Sequence, residues 1–120
     1  AKAEKEGSMR GAAFGITGSE TAFSTLYTRF VKEEKDFTLE QLLSLLTDKP
    51  ATVFGIKSAG LLAPGENADI AIFDIEHQKE IKEEDFKSKG VNTPFTGQKV
   101  YGETVMTFVD GKVVYQRGTK

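Results

Sequence analysis

The run TVMTFVDGKVVYQ, Thr104–Gln116, constrains the fold of this chain more than any other stretch. Two segments rich in β-branched and aromatic residues flank Asp110-Gly111, and such a two-residue link predicts a β-hairpin. A further strand is expected over Ile70–Phe73, apolar at consecutive positions as in a strand covered on both faces. It follows APGENAD, where Pro64 presets the first central position of a turn and Gly65 accepts positive φ at the second. Ile70, Ile72, Phe73, Val105, Phe108, Val113 and Tyr115 are too many large apolar groups for three strands to bury among themselves. Further material is therefore expected to pair with this sheet or cover it. Between the strands, KEIKEEDFKSKG predicts a short helical turn, and VNTPFTGQKVYG predicts an ordered loop leading into strand.

Upstream of Lys57 the apolar period is helical. Thr17 and Glu20 have the spacing of a capping box, and Phe23, Leu26, Tyr27, Phe30 and Val31 share a face, which predicts a helix from Gly18 to Glu34. DFTLEQLLSLLTDKP repeats the signature, with Thr38 and Gln41 as the box and Leu39, Leu42, Leu43 and Leu46 as the stripe. Lys49 precedes Pro50 and should leave the α region, stopping this helix near Thr47. Pro50 then suits the first turn of a short helix through Phe54, closed by Gly55 in a left-handed cap. The polar leader AKAEKEGSMRG reads as a loop or an ordered lid. Helices come first and strands second, with the change at residue 57, and 120 residues suit one domain with a core of its own.

Composition narrows the chemistry. Sixteen basic and eighteen acidic residues leave a net charge of −2, which provides no footprint for nucleic acid or an anionic membrane. No apolar run approaches the roughly 20 residues that span a bilayer, and no secretory leader is recognisable, so a cytoplasmic location is expected. Cysteine is absent and His77 is the single histidine, in the polar run IEHQKE. Thiolate or multi-histidine metal sites and a Ser-His-Asp arrangement are thereby disfavoured. Glu83, Glu84 and Asp85 alternate with lysines and lack the spacing of a calcium loop, so they read as a solvated surface, as does His77.

AAFGITGSETAF, Ala12–Phe23, sets a glycine-bearing loop before a helix. A helix N-terminus can hold an anion, but a phosphate loop needs Lys and then Ser or Thr after its last glycine. Ser19-Glu20 follow Gly18 instead, and a carboxylate there repels phosphate. A glycine turn feeding a capped helix accounts for Thr17, Gly18 and Glu20, though not for the AAFG that precedes them.

GLLAPGENADIAIFD, together with NTPFTGQKVYGETVMTFVDGKVVYQ, resembles the C-terminal end of amidohydrolase-superfamily enzymes. FGITGSETAF followed by TLEQLLSLLTDKPATVFGI is more specific, and is similar to the bacterial dihydroorotase family of the long, metal-containing type. The resemblance runs over essentially the whole chain. It implies an α/β fold: residues 1–56 as the last part of a metal-dependent (β/α)8 barrel, and 57–120 as C-terminal strands of a small β-sandwich built from both chain ends. A barrel takes about 250 residues, so this chain is expected to be a C-terminal portion.

The family's zinc ligands, including an aspartate expected just upstream of Ala1, find no counterpart here. The resemblance therefore implies no catalytic or metal residue in this chain and no zinc bound by it alone. In the family the loop after the last strand offers main-chain groups to the amide edge of the substrate ring, which carries over to Phe14 and Gly15. Ala13 stands where members commonly have proline. The implied reaction is reversible cyclisation of N-carbamoyl-L-aspartate to L-dihydroorotate by a zinc-activated hydroxide. The implied partners are that small-molecule pair, the rest of the same protein and further copies of it, with aspartate transcarbamoylase as an additional candidate. Two alternatives stand beside this: another cyclic amidohydrolase of hydantoinase, dihydropyrimidinase or allantoinase type, and a non-catalytic homologue serving as a transcarbamoylase scaffold.

Overall fold

The computed structural model describes residues 15–57 and 59–118. Helix α1, Ala22–Leu26, runs directly into a π-helical segment, Tyr27–Glu33, then α2, Leu39–Leu46, and α3, Asp48–Val53. Strands follow: β1, Ile70–Asp74; β2, Lys79–Glu80; β3, Lys99–Val100; β4, Glu103–Val109; and β5, Lys112–Gln116. A 3-10 turn, Glu83–Asp85, lies between β2 and β3.

The hairpin expectation is met. β4 and β5 pair antiparallel with Val109 opposite Lys112, and Asp110 and Gly111 both take positive φ, 49° and 72°, as a type I′ turn demands. The turn is anchored from below: the Asp110 N–H donates to Asp69 Oδ1 at 2.8 Å and the Gly111 N–H to the Ala68 carbonyl at 3.1 Å. β1 joins the other edge of β4, giving the order β1-β4-β5, with a bulge between Ile72 and Phe73. The Pro64-Gly65 turn closes with the Glu66 N–H on the Ala63 carbonyl at 3.1 Å, and Gly65 has φ 93°. The loop after the charged segment contributes β3, which pairs with β2 as a separate two-stranded sheet.

The helical half departs from its sequence reading in instructive ways. α2 has its capping box, Thr38 Oγ1 accepting from the Gln41 N–H at 3.2 Å and Gln41 Oε1 accepting from the Thr38 N–H at 2.8 Å. Its stripe is only half a core: Leu42 is fully buried, whereas Leu43 and Leu46 are exposed. The first helix starts at Ala22 rather than Gly18, and Thr17 and Glu20 form no capping box, because both side chains are held by a distant loop described below. From Tyr27 the turns widen to π geometry, with the Glu34 N–H reaching back to the Arg29 carbonyl at 2.9 Å. Successive residues Tyr27 and Thr28 are then both buried, Tyr27 in the core and Thr28 Oγ1 accepting from the Tyr101 N–H at 2.8 Å. Lys49 does not break the chain. Asp48–Val53 is helical and Thr47, at φ −129° and ψ −88°, takes the break instead. α3 ends at Val53, with Gly55 left-handed at φ 64°.

Phe23, Tyr27 and Leu42 form the buried core, and Phe73, Ile75 and Tyr101 of the strand half pack against it. Gly102 has φ 91°, and a Cβ there would sit 2.8 Å from the Phe23 ring, so this position requires glycine both for its backbone and for the aromatic ring against it. Elsewhere the apolar surface is open. Ile72 and Val113 are half exposed on the three-stranded sheet, and Val53, Phe54 and Leu62 are almost fully exposed.

Candidate functional site

The segment between the expected substrate loop and α1 is held by hydrogen bonds to a loop some seventy residues later. Gly15 adopts φ 73°, a left-handed conformation open to glycine, and a Cβ built there would meet no atom of the described chain beyond its chain neighbours within 4 Å. Among the described residues none beyond its chain neighbours packs into the space beside Gly15. The Asn92 side-chain amide donates to the Gly15 carbonyl at 3.0 Å, while the Asn92 carbonyl accepts from the Thr17 N–H at 2.7 Å. One asparagine thus grips the loop at two points two residues apart. Thr17 Oγ1 donates to the Gly90 carbonyl at 2.9 Å.

Glu20 completes the attachment. Its carboxylate accepts from the Lys87 N–H and the Ser88 N–H, each at 2.9 Å, and from the Ser88 hydroxyl. Partial burial pushes this carboxyl up, but the hydrogen bonds from Lys87 and Ser88 outweigh it and hold the group below its ordinary value. Phe14, the other expected contact, lies outside the described residues. Asn92 and Ser88 carry no local signal in the sequence. Only the Thr17/Glu20 pair was conspicuous, and its helix-capping spacing pointed to the wrong partners.

A chain of ion pairs lies across the strand half. Asp74 accepts from the main-chain N–H groups of His77 and Glu76, each at 3.1 Å, from Arg117 at 3.2 Å and from the His77 ring at 3.0 Å. These donors, the two main-chain groups foremost, hold the Asp74 carboxyl far below the usual carboxylate range. Arg117 also reaches Glu103 at 3.0 Å, and Lys79 bridges Glu103 at 2.7 Å and Asp85 at 3.3 Å. Burial disfavours the charges of Glu103 and Lys79, but the mutual pairing prevails, lowering the one pKa and raising the other. A cleft of about 240 Å³ opens beside this network, between Thr21 and Ser24 on one wall and Ile81, Val100 and Glu103 on the other. Its Lys79 and Glu103 neutralise each other. Among the described residues no three His, Cys, Asp or Glu side chains converge in a way that could hold a metal ion, so the donor set seen here does not fit a zinc centre.

Residues 5–114 match the model of the amidohydrolase family. The whole chain is 93% identical to part of a dihydroorotase from Lactobacillus johnsonii, of which it covers 28%. Over 117 residues, 98% of the chain, it is 62% identical to a dihydroorotase from Ligilactobacillus salivarius, of which it covers 27%. It thus spans little more than a quarter of the length of these curated relatives. Among solved structures, an L-hydantoinase (dihydropyrimidinase) from Arthrobacter aurescens superposes on 92% of the chain with TM-score 0.82 and 32% identity, 24% of that chain being covered. A D-hydantoinase (dihydropyrimidinase) from Thermus sp. superposes with TM-score 0.81 at 21% identity, on 93% of this chain and 24% of its own, a likeness of fold.

Proposed function

The chain belongs to the amidohydrolase family, and on that premise we propose that the protein of which it forms part is a dihydroorotase, interconverting N-carbamoyl-L-aspartate and L-dihydroorotate. The observation that carries this reading is identity of 93% and 81% to dihydroorotases along all 120 residues, well above the 32% to the hydantoinase of like fold. In this reading residues 1–56 end a (β/α)8 barrel and residues 57–120 supply strands of a composite β-sandwich. Zinc, the proposed cofactor, supplies an activated nucleophile when bound and is held by the rest of the protein.

The part assigned to this chain is binding. Phe14 and Gly15 present main-chain groups to the amide edge of the ring, and the absence of a side chain at Gly15 lets backbone approach the ligand closely. The left-handed φ of Gly15, and the lack of any described residue beyond its chain neighbours within 4 Å of its Cβ position, support that role. The proposed setting is the cytoplasm, with the protein as a homo-oligomer. No helix among the described residues is long and apolar enough to cross a membrane.

The likeness in fold to hydantoinases keeps one second reading in view, a cyclic amidohydrolase of that type. Steady-state assays of the full-length protein on dihydroorotate, hydantoin and dihydrouracil separate the two. Turnover of dihydroorotate is expected, and turnover of only the other rings would overturn the proposal.

A further inference from the structure

We propose that Asn92 is a positioning residue for the substrate loop: its side-chain amide grips Gly15 and its main-chain carbonyl grips Thr17, so that the 87–92 connector of the strand half sets ligand affinity at a loop from the helical half. The inference rests on the reading that Gly15 lines the substrate site. Three observations carry it. A glycine in the left-handed region has a wide range of accessible ψ, and among the described residues none beyond its chain neighbours lies within 4 Å of its Cβ position. The Asn92 Nδ2 bond to the Gly15 carbonyl at 3.0 Å bears on that torsion, because the carbonyl reports the ψ of Gly15 directly.

The second observation is redundancy. The Thr17 N–H on the Asn92 carbonyl, Thr17 Oγ1 on the Gly90 carbonyl and Glu20 on the Lys87 and Ser88 N–H groups hold the same two segments together. Loss of the Asn92 amide therefore leaves the connector attached and removes only the bond nearest the ligand. The third is exposure: Asn92 is half-buried and Gly15 exposed, so this bond is formed at the surface on which a ligand would be received, away from the Phe23–Leu42 core. A loop ordered before binding avoids the entropy of ordering it on binding, and that gain appears as affinity.

The test uses the full-length, metal-replete protein and dihydroorotate. Asn92→Asp keeps size and shape but cannot donate to the Gly15 carbonyl, and Asn92→Ala removes the side chain. Both are expected to raise KM roughly three- to tenfold, the worth of one hydrogen bond, with kcat, zinc content and melting temperature close to the parent. Lys89→Ala, on the same connector and outside these contacts, is expected to leave KM unchanged. An unchanged KM in Asn92→Asp, or a fall in kcat and zinc content at constant KM, overturns the inference.

Gly15→Val separates this from the underlying reading. If that variant raises KM and Asn92→Asp does not, Gly15 meets substrate without help from Asn92. If neither raises KM, the loop is not at the substrate site. Should both Asn92 variants fail to fold, the asparagine is structural and the inference falls.

Discussion

Phe73 lies flat on Phe23, ring centroids 3.9 Å apart and planes 22° from parallel. The contact joins the first helix to the first strand, and Tyr27 extends the stack with its ring 5.6 Å from that of Phe23. Aromatic pairs of this kind contribute beyond the area that they bury. Gly102 lies over the edge of the Phe23 ring, which makes it a sensitive point of the core.

Gly102→Ala should destabilise the folded protein by about 1–3 kcal/mol, through a methyl forced against Phe23 and a left-handed φ that alanine resists. Chemical denaturation of the full-length variant checks this. A loss below about half a kcal/mol would mean that the Phe23 ring moves aside at little cost.

Gly15→Val in the intact protein should raise KM while zinc content stays that of the parent. Among the described residues none beyond the chain neighbours lies within 4 Å of the new Cβ, and the expected effect runs through the ligand and through the φ of 73°, which a β-branched residue resists. Kinetics indistinguishable from the parent would remove Gly15 from the substrate site.

Acid should weaken the strand half. Asp74 and Glu103 have folded pKa values below their ordinary 3.8 and 4.5. A lowered carboxylate contributes stability that is complete above its unfolded pKa and is lost as pH falls through the folded one. Asp74→Asn should therefore melt below the parent at pH 7, and the gap should narrow as pH drops below about 4. A gap independent of pH would show that the pairing with His77, Glu76 and Arg117 carries no linkage.

The 120-residue chain produced alone should bind an apolar dye and self-associate, because Val53, Phe54 and Leu62 are each more than three-quarters exposed and Ile72 and Val113 leave the sheet partly uncovered. It should show no turnover of dihydroorotate and retain no stoichiometric zinc after dialysis. A monomeric, cooperatively unfolding chain without dye binding would mark an autonomous domain, and zinc retained with turnover would overturn the assignment of the metal to the rest of the protein.

The features legible in the sequence are those decided over a few residues. Asp110-Gly111 specified its turn because that geometry needs positive φ at two adjacent positions. Thr38 and Gln41 specified the start of α2 because both partners of the box lie within one helical turn. The Pro64-Gly65 turn and the left-handed Gly55 were read for the same reason. The order of helices first and strands second, and the resemblance carried by GITGSETAF and DIAIFD, likewise needed no long-range knowledge.

What tertiary structure alone decided is which of two chemically adequate partners a polar group takes. Thr17 and Glu20 have perfect spacing to cap a helix, yet they bind Gly90, Lys87 and Ser88, and α1 begins at Ala22. For the Glu20 carboxylate, main-chain N–H groups at a helix start and in a distant loop are equivalent as donors, and the Thr17 hydroxyl can accept at a cap or donate to the Gly90 carbonyl, so local pattern cannot choose; the packing of Phe23 on Phe73 brings the two halves together. The same holds for Leu43 and Leu46, whose helical period marks them as apolar but cannot say what covers them. Asn92 is the clearest case, an asparagine in a loop whose role exists only because Gly15 is brought beside it.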